Sequence, residues 1–210
     1  MTAVAVDLST LLAPPHAALV ANECQRGVIG DHSLLPELAK AAVPVVPVIA
    51  HLAAAARRAG VPVLHTTAVR RADGRGSNQN ARLFMATRRS PTPMVPGTPQ
   101  AEIVAEIGVA ESDLVLPRMH GLSPMSGTEL DPVLRNLGVR TIVAVGVSVN
   151  VAIANLVFDA VNAGYQVVVP RDAVAGLPPS YVDAVFEHTL ELLATVTTAA
   201  EVLGVWGAAA

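Results

Sequence analysis

Short apolar, β-branched runs alternate with helix-like segments along all 210 residues, and that alternation predicts an α/β fold. The expected architecture is a single-domain, doubly wound, three-layer α/β/α fold with a mainly parallel sheet of about six strands and right-handed crossovers. Two further observations support it. Apolar residues make up 52% of the chain, much of it alanine and valine, as buried parallel strands and close-packed helices require. No internal repeat, low-complexity linker or second domain interrupts the pattern, and the length suits one large domain.

Each element follows from local chemistry. Residues 1–15 are expected as a loosely attached N-terminal arm ending at Pro14-Pro15, and residues 16–210 as the domain. His16–Cys24 reads as the first central strand, with Glu23 and Gln25 at its carboxyl end. Leu35–Gly60 reads as a long helix that Pro44 and Pro47 kink or divide and that Gly60 closes. Val61–His65 is the second strand, again with a polar residue at its end. Thr66–Gly97 is the longest irregular stretch, a length that points to a lid or substrate loop, with a short helix expected over Gln79–Ala86. A second short helix is expected over Pro99–Ile107, a strand over Asp113–Leu116, and a loop over Arg118–Thr128 leading into a helix from Glu129 to Leu137. The run Thr141–Val145 is a buried strand that passes Gly146 and becomes a helix, in which Val151, Asn155, Phe158 and Asp159 lie three or four apart. Tyr165–Val169 is a strand followed by a turn, Ser180–Leu193 a helix, Thr195–Thr198 a final short strand and Glu201–Trp206 a last turn of helix.

Composition removes several classes of function. A formal charge of −3 and a pI near 6.0 argue against a nucleic-acid or anionic-membrane partner. Mean hydropathy is high at +0.49, yet no uninterrupted apolar run reaches the roughly 18 residues of a membrane helix. The first residues lack a basic stretch and carry Asp7, so they do not read as a signal peptide, and a cytoplasmic location is expected. Cys24 is the only cysteine, which excludes an intrachain disulfide and CxxC metal sites. No cofactor and no metal are expected. The expected partners are a small-molecule substrate and further copies of the chain, as a dimer or tetramer.

In a parallel sheet every carboxyl end faces one rim, which collects Glu23, Gln25, His65, Arg118 and the Ser148–Ala152 turn. Glu23 follows an apolar strand, and partial desolvation raises a carboxyl pKa and suits a general acid. A nearby Arg118 pushes the other way. The pair reads equally as catalytic machinery or as a structural strand-end ion pair. His65 either orients a substrate or is a hydrogen-bonded structural group, and His120 is the better site candidate of the two. Gly74, Gly76, Asn78 and Asn80 suggest a flexible loop over the pocket. Met119 and Met125 read as pocket or core packing, and His32, His51 and His188 as surface or helix residues. Cys24, next to Glu23 in a strand, points to the opposite face and reads as a buried small hydrophobe, with a reactive thiol as the alternative. In the Ser148–Ala152 turn the one strongly polar side chain is Asn150.

These segments together resemble the isochorismatase-like hydrolases, a family that includes nicotinamidases and other cysteine amidases. ALVANECQRG looks like the family's first strand, which ends in Asp-x-Gln. LPRMHGLSPMSGTEL looks like its lysine loop, with one extra residue before the Ser-x-x-Gly-Thr part. VAVGVSVNVAIANLVFDAVNAGYQVVVPRDAVAG looks like its cysteine-bearing segment, and this match is the most specific. The resemblance implies that Glu23 stands at the position of the family's Asp base, Arg118 at its Lys and Ala152 at its nucleophilic Cys. It also implies a non-proline cis bond at Val147–Ser148 and an oxyanion hole formed by the N–H groups of Ser148 and Ala152. Glu for Asp lengthens the acid by one methylene, Arg keeps the charge but donates no proton, and Ala152 offers no nucleophile. Thiol-based amide hydrolysis is therefore excluded. What remains is hydrolysis of a small anionic metabolite with Glu23 as acid/base and Gln25, His65, His120, Ser148 and Asn150 around the substrate. The alternative is a catalytically silent relative that keeps the pocket for a ligand or partner.

Overall fold

The computed structural model describes residues 7–89 and 92–208. Seven strands form one sheet in which every strand pair is parallel. They are β1 (Ala17–Asn22), β2 (Val63–Ala68), β3 (Leu114–Arg118), β4 (Thr141–Val147), β5 (Gln166–Pro170), β6 (Val174–Ala175) and β7 (Thr195–Thr197). Their order is β3-β2-β1-β4-β5-β7, with β6 pairing the end of β4. The chain starts at the centre, winds out through β2 to β3, then returns to β4 on the other side of β1. The switch of direction lies between β1 and β4, so the crevice beyond the carboxyl ends of these two strands is where such a sheet accommodates a ligand.

Alternation in the strands divides the core in two. Ala17, Leu19 and Ala21 of β1 face one layer with Val143, Val145 and Val147 of β4, while Ala18, Val20, Ile142 and Ala144 face the other. The first layer is covered by α2 (Pro36–Ala42), α3 (Val45–Arg58) and α9 (Ala199–Ala208). In α3 the residues Ile49, Leu52, Ala53 and Ala56 are fully buried, and the small alanines let the helix lie close to the sheet. The second layer is covered by α5 (Leu130–Asn136), α6 (Ala154–Asn162) and the helix that begins at α7 (Pro179–Val185) and runs through Phe186–Leu190 to α8 (Glu191–Leu193).

The expected break at Pro44 is present: α2 and α3 meet at 56°, because a proline inside a helix removes a donor and collides with the preceding turn. No single helix is long and apolar enough to cross a membrane among the described residues. Three expectations need correction. The first six residues of the expected loose arm lie outside the described residues, but from Asp7 onward the segment is docked. It forms α1 (Leu8–Leu11), Leu11 and Leu12 are buried, and the buried Trp206 donates from Nε1 to the Leu12 carbonyl at 3.1 Å. Burying a leucine completely stabilises by about 1.5–3 kcal/mol, enough to hold such a segment in place.

The second correction concerns Pro99–Ile107. Only the turn Pro99–Ala101 is helical there, because the backbone bonds elsewhere. Arg26 N–H donates to the Glu102 carbonyl and Val104 N–H to the Cys24 carbonyl, and Gln25 bridges Ile103 in an antiparallel arrangement. The third is a strand not expected at all: Val174–Ala175, inside what reads as a turn, pairs with Gly146 and Val147.

Candidate active site

Glu23 is the first residue beyond β1, and it has a positive φ of 52°, which swings its side chain out of the strand's alternation. Its carboxylate, 18% exposed, accepts a hydrogen bond at Oε1 from Nη2 of Arg118, the last residue of β3. Arg118 is 7% exposed and also donates to the carbonyls of His120 and Gly121. Burial pushes the Glu23 carboxyl above its ordinary value, against the opposing charge and hydrogen bond of Arg118. No described group bonds Oε2, and Glu23 lines a cavity of about 230 Å³.

The floor of that cavity is the turn after β4. Asn22, at the end of β1, holds it in register: Asn22 Nδ2 donates to the Val147 carbonyl, and Thr66 Oγ1 donates to Asn22 Oδ1 at 2.9 Å. The peptide bond Val147–Ser148 is cis, as the family resemblance implied. Val151 and Ile153 N–H groups donate to the Ser148 carbonyl, opening a wide turn over Val149–Ile153 that runs on into α6. Ser148 and Ala152 line the cavity beside Glu23 and Arg118. The methyl group of Ala152 is the only side-chain atom this position presents.

The walls come from loops. The stretch Thr66–Gly97 covers the cavity, with Ser77, Asn78, Leu83, Phe84 and Met94 among its lining residues. Its helix is α4 (Arg82–Arg88), shifted by a few residues from the expected Gln79–Ala86. Asn78 fastens the loop across the mouth, its Oδ1 accepting from Gly121 N–H at 2.8 Å. Leu34, Leu35 and Leu38 close the opposite side. Position in a long irregular loop signalled the lid, while its inward side chains Leu83 and Phe84 were not singled out in the sequence.

Of the expected site residues, the structure brings Glu23, Arg118, His120, Ser148 and Ala152 together around one cavity. Three others lie elsewhere. Gln25 is fully buried and clamps two loops: Nε2 donates to the carbonyls of Ala68 at 3.0 Å and Ala101 at 3.2 Å, and Oε1 accepts from Ala68 N–H at 2.7 Å. His65 is fully buried against Asp113, which also pairs with Arg57. Asn150 turns its Oδ1 toward Gly176, where a Cβ would come within 3.0 Å of it. Gln25 and His65 are committed to the scaffold, Asn150 Oδ1 is buried without a hydrogen-bond partner among the described residues, and none of the three lines the cavity.

Cys24 belongs to the first core layer, its Sγ donating weakly to the Asn22 carbonyl, and burial followed by the charge of Glu23 pushes its thiol up to about 12. Asp113 has no counterpart among the expected residues, since nothing in its local sequence distinguishes it from a surface aspartate.

Comparison with known proteins fits this geometry. The Isochorismatase domain model matches residues 17–201. An N-carbamoylsarcosine amidase from Arthrobacter sp. is 27% identical over 139 residues, covering 66% of this chain and 52% of that protein. The isochorismatase family protein YwoC from Bacillus subtilis is 32% identical over 93 residues, covering 44% of this chain and 47% of that protein. The chain thus spans about half the length of the curated relatives it matches. Among solved structures, an isochorismatase family protein from Desulfovibrio vulgaris is 30% identical with a TM-score of 0.77, covering 91% of this chain and 98% of that one. A cysteine hydrolase from Pseudomonas syringae superposes over 100% of both chains with a TM-score of 0.86, and at 23% identity it speaks for the fold.

Proposed function

We infer the activity from one premise: this chain belongs to the isochorismatase family, whose domain covers nearly all of it. The proposed function is hydrolysis of a small molecule without a cysteine nucleophile, with Glu23 as the acid/base. The observation that carries this reading is the meeting of Glu23 and Arg118 beside a turn whose nucleophile position is the methyl of Ala152.

Glu23 sits where a desolvated carboxyl holds its proton more tightly than in water, which fits a proton donor. In the proposed reaction the neutral carboxyl gives its proton to the substrate as the scissile bond is polarised. Water then adds to the activated carbon, and the proton that water loses returns to the Glu23 carboxylate. One bond to the leaving group is broken, one to the water oxygen is made, and the enzyme ends as it began. Arg118, committed to Glu23 and two carbonyls, positions the acid. The N–H groups of Ser148 and Ala152 are the proposed stabilisers of negative charge developing on the substrate.

The test is turnover of small vinyl ethers, esters and amides by the wild-type chain and by Glu23→Gln, which keeps the size and the hydrogen-bond acceptor toward Arg118. Turnover should vanish in Glu23→Gln while binding persists; turnover equal to wild type would sink the acid role. A second reading, a binding protein without turnover, is favoured by the occupation of Glu23 Oε1 by Arg118. It predicts binding with no hydrolysis of any of these substrates by the wild-type chain.

A further inference from the structure

The cavity has apolar walls and an unequal set of charges. Leu34, Leu38, Leu83, Phe84, Met94 and Met119 supply most of the wall. Four charged side chains line it: Glu23, Arg118, Arg70 and Arg88. Deep in the cavity Glu23 and Arg118 offset one another. Arg70 and Arg88 do not have such a partner. Arg70 Nη1 donates to the Arg88 carbonyl at 3.3 Å, and Arg88 Nη1 donates to Gln79 Oε1 at 2.7 Å; among the described residues no carboxylate pairs with either. Arg70 is half-buried and Arg88 exposed, so the unmatched positive charge lies toward solvent while the acid lies within.

We propose that the cavity binds a small carboxylate with an apolar body, its carboxylate held by Arg70 and Arg88 at the mouth and its body along the leucine and methionine wall toward Glu23. This substrate class rests on the proposed hydrolysis only for the reaction, because binding itself needs no turnover. Three physical points support it. An apolar body displaces water from the leucine and phenylalanine side chains, about 25 cal/mol for each Å² covered. A carboxylate suits the guanidinium fork, which donates two parallel hydrogen bonds. The volume, about 230 Å³, falls below the roughly 300–1,000 Å³ of drug-sized pockets, so the ligand is small. Arg118 is already engaged by Glu23, His120 and Gly121, which leaves the carboxylate to Arg70 and Arg88.

Calorimetric titration of the full chain with 3-phenylpropionate and hexanoate, beside their neutral amides and inorganic phosphate, tests the proposal. The carboxylates should bind at least about ten-fold more tightly than the amides, the scale of one charge-assisted hydrogen bond, and more tightly than phosphate. Raising sodium chloride should weaken the carboxylates and leave the neutral amides unchanged in the wild-type chain, and the Arg70→Gln/Arg88→Gln variant should remove the preference. Equal binding of amides, stronger binding of phosphate, or salt-independent carboxylate binding would overturn it. Since binding is read without turnover, carboxylate selectivity with no hydrolysis would count against the hydrolase reading alone. Hydrolysis that depends on Glu23 without carboxylate selectivity would count against the ligand class alone.

Discussion

His65 Nε2 lies 3.1 Å from Asp113 Oδ2, joining β2 to the residue that precedes β3, and both side chains are buried. Asp113 also takes two bonds from Arg57 of α3, at 2.6 and 3.1 Å, and one from Ala110 N–H at 2.9 Å. One carboxylate thus ties a helix, a strand and the edge of the sheet together. Burial lowers the His65 pKa from 6.5 despite the hydrogen bond and charge of Asp113 that favour the cation. For Asp113, burial is opposed and outweighed by the bonds from Arg57, Ala110 and His65, so its pKa falls below 3.8.

Both depressed values carry the same sign. A group that binds protons less well folded than unfolded stabilises above its unfolded value, and that stability is lost as pH falls through the folded value. His65 therefore supports the fold at neutral pH and begins to fail below 6.5, with Asp113 following below 3.8. His65→Leu should cost about 1–3 kcal/mol in urea unfolding at pH 7 and flatten the loss of stability between pH 6.5 and the acid limb. An unchanged acid limb would place the pH sensitivity elsewhere.

Glu23 has the opposite sign. Its folded value is raised above 4.5, first by burial and against Arg118, so the folded state binds this proton more tightly than the unfolded chain does. Its favourable contribution is present below 4.5 and is lost as pH rises through the folded value. The stability difference between wild type and Glu23→Gln should shift in favour of Gln as pH rises through that window, and hydrolysis by the acid should fall over the same window. Arg118→Met removes the cation paired with Glu23, so both transitions should move to higher pH, with a stability loss on the order of 2 kcal/mol at neutral pH. A pH–rate profile identical in Arg118→Met and wild type would contradict the pairing.

Gln25→Leu should loosen the segment around Ala101 from the end of β2, where Ala68 lines the cavity. It leaves Ala68 N–H and the Ala68 and Ala101 carbonyls short of partners, for a cost of about 2–4 kcal/mol. Hydrogen exchange of residues 99–104 should accelerate in this variant while that of β4 stays slow. Uniform acceleration would mean global destabilisation instead.

Gly146→Ala is predicted to be the most damaging single methyl. Gly146 sits at φ +106° opposite Asn22 in the β1–β4 ladder, and a Cβ there would lie 2.2 Å from the Asn22 carbonyl oxygen. Relieving that overlap requires parting the two central strands, so a loss exceeding about 4 kcal/mol or failure to fold is expected. Soluble expression with a wild-type melting temperature would refute it.

The central strands were legible in sequence because runs such as Ala17–Val20 and Ile142–Val145 are apolar on both faces and end at polar residues or glycine. The division of the long helix was legible because Pro44 acts locally. Residues 99–107 were not, since their backbone is claimed by residues 24–27, some 75 positions earlier in the chain. The site divided along the same line. Glu23, Arg118, Ser148 and Ala152 were found through strand ends and the turn after β4, and His120 through its place in the loop after Arg118. Gln25 and His65 met the same criteria, yet capture by Ala68, Ala101 and Asp113 removed them from the cavity. A strand end places a side chain near the rim, and only long-range partners decide whether it is free to act.

The methyl at Ala152 and the sealed thiol at Cys24 together leave the proposed chemistry without a step that needs a thiol. A chain whose one sulfhydryl is buried and pushed up to about 12 offers thiol-directed alkylating reagents no reactive thiolate. Nor does the proposed reaction pass through a covalent acyl intermediate that could partition between water and added amines. Turnover should proceed with no initial burst, incorporate one solvent oxygen per event, and continue after treatment with iodoacetamide, which silences a cysteine hydrolase of the same fold.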